Sequence, residues 1–231
     1  MSSSIVRLAV FGIGLLTVDA AIGEDFPVKP IRILTSESGS GSDIVARLVA
    51  ERFARTLGQR GIVDNRGIVA VEIAAKAPAD GYTLLFYSTP LWISPLIHKV
   101  PWDTTRDFVP VTMAANTPNV LVIPATLAIN SVRELIAAAK AKPGELNYGS
   151  GSSGSSSHLA GELFKAMAGV DIVRIPYKGV GPALIGLMSN QVQLIFASTS
   201  SGMPHVRSGR LKALAVGSAL PSALMIGVNY D

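Results

Sequence analysis

The sequence predicts an α/β fold of two lobes, each a mostly parallel sheet flanked by helices, and three observations carry that expectation. The chain has 231 residues, of which 48% are hydrophobic and only 16% charged. That is too apolar for a disordered segment and long enough for one large domain or two small ones. Short β-branched runs alternate with longer stretches of helical period, the pattern of βαβ units. Finally, Asn116-Thr117-Pro118-Asn119 separates two strand-like runs, and neither Pro118 nor Pro124 suits the middle of a central strand. This segment reads as a crossover that would leave a cleft between two lobes, with hinge residues near 116–120 and 215–218.

Along the chain, Arg7 precedes an apolar stretch from Leu8 to Val18, followed by the small residues Ala20, Ala21 and Gly23. Residues 1–23 therefore read as a secretory signal peptide cleaved near Gly23, which makes the mature chain an exported one. Strands are expected at Ile31 to Thr35, Gly61 to Asp64, Thr83 to Tyr87, Val109 to Ala114, Val120 to Ile123, Leu146 to Tyr148, Ile172 to Arg174, Val192 to Phe196 and Leu211 to Val216. The first helix, from about Asp43 to Leu57, places Ile44, Val45, Leu48, Val49, Phe53 and Leu57 on one face. Ser131-Val132-Arg133-Glu134 is a capping box that starts a helix, and Pro143-Gly144 stops it. Shorter helices are expected at 70–77, 91–98, 158–168, 182–188 and 202–208.

Composition excludes several functions. There is no cysteine, so disulfides, iron–sulfur clusters and thiol catalysis are absent. The net charge of +4 comes from basic residues scattered singly, without the basic stripe of a nucleic-acid binder. The three histidines, His98, His158 and His205, are isolated, and no H-E-x-x-H, G-x-S-x-G, S-x-x-K or P-loop motif occurs. No metal or cofactor is expected.

Three strand-to-helix loops are rich in Gly, Ser and Thr: Thr35 to Asp43, Tyr148 to Ser157, and Pro176 to Pro182. Each can present free N–H groups and hydroxyls at a helix N-terminus, where the dipole favours an anion. The candidate ligand-binding residues are Ser38, Gly39, Ser40, Ser42 and Asp43; Tyr148, Gly149, Ser150, Ser156, Ser157 and His158; and Tyr177, Lys178 and Gly179. Ser88, after the third strand, joins them. The plainer alternative is that Ser42 or Asp43, and Ser157, are only N-caps, Lys178 and Arg32 only surface charges, and the tyrosines packing residues. Gly149, Gly151 and Gly154 also match G-x-G-x-x-G, with Asp171 near the acidic offset, so an enzyme binding a nucleotide or phosphate there is the alternative function.

Several segments carry a family resemblance. Phe26-Pro27-Val28-Lys29-Pro30-Ile31-Arg32-Ile33, Asp43-Ile44-Val45-Ala46-Arg47, Val63-Asp64-Asn65-Arg66-Gly67 and Asp80-Gly81-Tyr82-Thr83 resemble the Bug family, the TctC-like receptors of tripartite tricarboxylate transporters. The likeness is densest at Leu146-Asn147-Tyr148-Gly149-Ser150, Ser156-Ser157-His158-Leu159-Ala160-Gly161-Glu162 and Val173-Arg174-Ile175-Pro176-Tyr177-Lys178-Gly179, and runs from about Phe26 to Ser218. It implies a periplasmic binding protein of type II topology, a monomer rather than an enzyme. Such a receptor captures a small di-, tricarboxylic or aromatic acid and hands it to a membrane permease. The lobes would then span 24–117 and 118–214, with 215–231 a crossover and divergent tail.

The chain departs from the family pattern in places. Thr35-Ser36-Glu37-Ser38-Gly39-Ser40 stands where the family reads Pro-Phe-x-x-Gly-Gly, so Glu37 adds negative charge beside an expected anion. Gly67-Ile68-Val69-Ala70-Val71 replaces a Pro-Gly-Ala-Gly-Gly run, and Ala197 stands where an Asp is common. After Ser218 the family continues into a segment that completes the first lobe, whereas this sequence reads on only to Asp231. The expectation is an incomplete first lobe with an open sheet edge in a C-terminally truncated chain, impaired in folding or binding or reduced to a nonfunctional remnant.

Overall fold

The computed structural model describes residues 25–218; the expected signal segment and the tail from Ala219 lie outside them. In the first lobe the order is β1 (Ile31–Thr35), α1 (Gly41–Thr56), β2 (Gly61–Asn65), α2 (Val69–Ala75), β3 (Thr83–Phe86) and α3 (Pro90–Ile97). β1 lies between β2 and β3 and pairs in parallel with both. The second lobe runs β4 (Asn119–Pro124), α4 (Val132–Ala141), β5 (Asn147–Ser150), α5 (Ser156–Ala168), β6 (Val173–Pro176), α6 (Val180–Met188), β7 (Leu194–Ser198), α7 (Thr199–Arg207) and β8 (Leu211–Val216). Its sheet has the order β6-β5-β7-β4-β8. β5, β6 and β7 are mutually parallel, and β4 runs antiparallel to both β7 and β8. The fold is thus the expected α/β class, with one reversed strand where the chain enters the second lobe. β8 continues to Val216, across the expected division at 214/215.

The period of two along β4 divides the second lobe's core. Val120 and Val122 pack with Leu184, Leu187, Ile195 and Met203 on the side of α6 and α7. Leu121 and Ile123 pack with Leu135, Tyr148, Ile172 and Leu194 on the opposite side. Pro124 is accommodated because it is the last residue of β4, opposite Leu211.

Two sequence expectations are corrected. Val109 to Ala114 forms no strand: no described strand pairs with it, Pro110 lacks a ladder donor, and Val109 is 88% exposed. In α1 the buried face is Asp43, Ala46 and Ala50, while Leu48 and Leu57 face solvent. Small residues take the core side because the helix lies almost on β2: a Cβ at Gly61 would sit 2.6 Å from the Ala50 Cα. The capping box at α4 is present in staggered form. Ser131 Oγ accepts from the Glu134 amide, and Glu134 Oε2 accepts from the Asn130 amide.

Candidate functional site

Between the lobes lies a cleft of about 270 Å³. The N-caps of α1, α3, α5, α6 and α7 are Ser40, Thr89, Ser155, Gly179 and Ser198, and all of them line it. Ser36, Ser42, Ser88, Asn116, Thr117, Asn119, Gly151, Ser152 and Ser156 complete most of the polar wall. A wall of hydroxyls, amides and helix N-termini offers many donors to an anion.

The first loop is held by a buried polar network. Asp43 is 3% exposed; its Oδ2 accepts from the Gly39 amide at 2.9 Å. Its Oδ1 accepts from Asn65 Nδ2 and pairs with Arg47, each at 2.9 Å. Burial alone would raise the Asp43 pKa, but the Gly39, Asn65 and Arg47 donors outweigh it and hold the carboxyl below the usual range. Asn65 also donates to the Ser36 carbonyl, tying β2 to the loop. Asp43 therefore fastens the loop, and Ser40, not Ser42 or Asp43, is the N-cap, accepting from the Asp43 amide.

The second loop is braced from behind by Arg174 of β6, which donates to Ser150 Oγ at 2.7 Å and to the Gly151 carbonyl at 3.1 Å. Inside the loop Ser157 Oγ accepts from the Gly151 amide, and His158 Nδ1 accepts from the Gly154 amide. Burial, then the positive Arg174, depress the His158 pKa, in keeping with a neutral ring that accepts at Nδ1. Ser155, not Ser157, caps α5.

Of the candidate residues, Ser40, Ser42, Ser88, Ser156 and Gly179 line the cleft. Ser38 and Gly39 turn away and line a second, more apolar cavity of about 500 Å³ against α6 and α7. Gly149 and Ser150 lie in β5 rather than in a loop, and Gly149 is pressed against Ile195. Tyr148 is fully buried beneath Gly161, with its hydroxyl donating to Glu162. Tyr177 packs on Gly186 and donates to Gln191, and Lys178 is exposed. Arg174 and the cleft residues Ser155 and Ser198 were not among the candidates. Arg174 had one available signal, a lone charge inside an otherwise apolar strand. Among the described residues no group of His, Asp and Glu could hold a metal ion, and no helix is long and apolar enough to cross a membrane.

A sequence profile of the tripartite tricarboxylate transporter family receptors matches residues 45–228. The chain belongs to this family. It is 37% identical to BugT of Bordetella pertussis over 220 residues, covering 90% of this chain and 68% of that one. It spans 59% of the length of a Pseudomonas sp. relative, at the same identity over 84% of its own. Among solved structures, an R. palustris protein with adipate superposes with a TM-score of 0.81 at 36% identity, over 88% of this chain and 73% of that one. MatC from Rhodopseudomonas palustris, with bound malate, gives 0.79 at 25% identity, over 89% and 72%. The fold is that of periplasmic binding proteins of this family.

Proposed function

We propose that this chain is an extracytoplasmic solute-binding receptor that captures a small carboxylate-bearing molecule between its lobes and delivers it to the membrane permease of a tripartite transporter. The observation that carries the reading is the convergence of the N-caps of α1, α3, α5, α6 and α7 on one cleft. Each helix end contributes partial positive charge and unsatisfied N–H donors, so a carboxylate is held by dipoles without a fixed cation. Family membership and the adipate- and malate-bound relatives support a small organic acid. Periplasmic location after removal of residues 1–23, and lobes at 24–117 and 118–214 hinged near 116–120, belong to the same proposal. Gly149 lies within β5, where a Cβ would come within 3.0 Å of Ile195, so this glycine serves sheet packing.

The test is calorimetry on the purified chain against adipate, malate, citrate and benzoate beside NAD and ATP. Saturable binding of at least one acid, with an upward shift of the melting temperature, is the expected result. A response to NAD or ATP with none to any acid would overturn the reading.

A further inference from the structure

The cleft's only charged lining residue among those described is an acid. Glu37 stands in the first loop with the hydroxyl-rich wall around it, and no Lys or Arg lines the cleft beside it. Arg174 is committed to Ser150 and the Gly151 carbonyl, and Arg47 to Asp43 and Asn65. The Glu37 carboxylate is engaged by its own backbone N–H, but no Lys, Arg or other side chain among the described residues pairs with it. Its position is nevertheless defined. A Cβ at Gly67 would lie 2.9 Å from Glu37 Oε1, and one at Gly179 would lie 2.7 Å from the Glu37 Cβ. The side chain is thus wedged between the end of β2 in one lobe and the N-cap of α6 in the other.

We propose that Glu37 makes the cleft selective for a ligand carrying one carboxylate and, at its other end, a protonated amine: an amino-acid zwitterion rather than a dicarboxylate. This rests on the receptor reading above and narrows it. A half-buried carboxylate without a counter-charge is unfavourable, and its burial pushes the Glu37 pKa upward against the smaller opposing effect of its own backbone N–H. A second carboxylate brought by a diacid would add like-charge repulsion at short range in a site with no compensating cation. An ammonium group removes both penalties, since it supplies the missing counter-charge and donates to a carboxylate that otherwise receives only a backbone N–H. The ligand's own carboxylate meanwhile takes the helix N-termini.

The experiment compares pairs matched in length: adipate with 6-aminohexanoate, and succinate with 4-aminobutanoate, titrated into the wild-type chain and into Glu37→Gln. In the wild type the amino acid of a pair should bind at least about tenfold more tightly than its diacid. In Glu37→Gln that preference should fall by about tenfold or reverse. Each form is melted first; if the Gln variant unfolds early, Glu37→Ser carries the same comparison. Diacid binding as tight as amino-acid binding in the wild type, or a preference unchanged by the substitution, overturns the assignment while leaving the carboxylate receptor standing. No response of either form to any of the acids overturns both.

Discussion

In the first sheet β1 lies between β2 and β3; in the second, β5 holds the same place between β6 and β7, and β4 and β8 then extend the sheet beyond β7. Both lobes therefore start from one scheme, a strand with the next two strands of the chain on either side. Among the described residues β3 is one edge of the first sheet, and all its residues are only half-buried; its counterpart β7 is mostly buried between β5 and β4. The second lobe packs two apolar clusters, one on each face. Among the described residues the first has one smaller cluster, built on Ile33, Ala46 and Ala50, with Ile31, Leu34, Ala70 and Val71 buried beside it. What the first lobe has instead is charge: Arg32 and Arg66 pair with Asp64 across β1 and β2, and Asp43 gathers Arg47, Asn65 and Gly39. The difference teaches that two lobes of one scheme can be held by different forces, apolar burial in one and a polar network in the other.

The largest expected effect is in the apolar lobe. Leu187 is fully buried between α6 and the sheet, so Leu187→Ala should cost about 2 to 5 kcal/mol in denaturant unfolding, through lost transfer energy and the cavity left behind. The loss should be nearly independent of pH, because no titratable group is involved. A cost below that of Asp43→Ala would break the contrast between the lobes.

Asp43→Ala should destabilise the first lobe by about 1.5 to 3 kcal/mol, since it removes a charged acceptor from three donors. Its signature is pH. The folded carboxyl lies below the usual range, so on acidification the unfolded chain takes up the proton first. The stabilisation is complete above the unfolded pKa of about 3.9 and is lost as pH falls through the folded value. Wild-type stability should therefore drop more steeply below about pH 4 than that of Asp43→Asn, measured by urea unfolding across that range. Equal slopes would remove Asp43 from the account of the first lobe.

Closure between the lobes tests a third part of the contrast. Gly181 is the second residue of α6, and a Cβ there would stand 2.7 Å from the Ser38 carbonyl oxygen of the other lobe. Alanine suits the helix itself, so Gly181→Ala should leave each lobe folded while the added methyl holds the two apart. Overpacking of this kind costs roughly 1 to 3 kcal/mol, read here as weaker adipate or 6-aminohexanoate binding with little change in the melt. Unchanged affinity would mean that the lobes do not close at this contact.

Much of this architecture is legible in the sequence where the cause is local. The box at Ser131 to Glu134 starts α4, and the unbroken apolar run Val120 to Ile123 marks a strand buried on both faces. What depends on a partner is not legible. Val109 to Ala114 has strand-forming residues, yet a strand exists only when another pairs with it. The apolar period of α1 names Leu48 and Leu57, but the close approach of Gly61 to Ala50 selects Ala46 and Ala50 for the core instead. At the site, the Gly- and Ser-rich loops point to the cleft, since Ser40, Ser156 and Gly179 all face it. Composition does not separate a residue facing the cleft from one bracing it. Ser156 and Ser157 are neighbours of one type, and only the helix turn sends Ser157 to the Gly151 amide.

The smallest expected effect comes from two caps of equal geometry. Ser131 Oγ accepts from Glu134 N and Ser40 Oγ from Asp43 N, each at 3.1 Å. Ser131→Ala and Ser40→Ala should each cost about 1 kcal/mol as lost N-caps. They part in what else the hydroxyl does: Ser131 caps a helix away from the cleft, whereas Ser40 lines it and lies 2.7 Å from Ser36 Oγ. Ser131→Ala should leave adipate and 6-aminohexanoate binding untouched. Ser40→Ala should weaken it severalfold, because the helix end it orders is one of those that receive the carboxylate. If both substitutions left affinity unchanged, the α1 N-terminus would be structural, and the carboxylate would have to rest on the ends of α3, α5, α6 and α7.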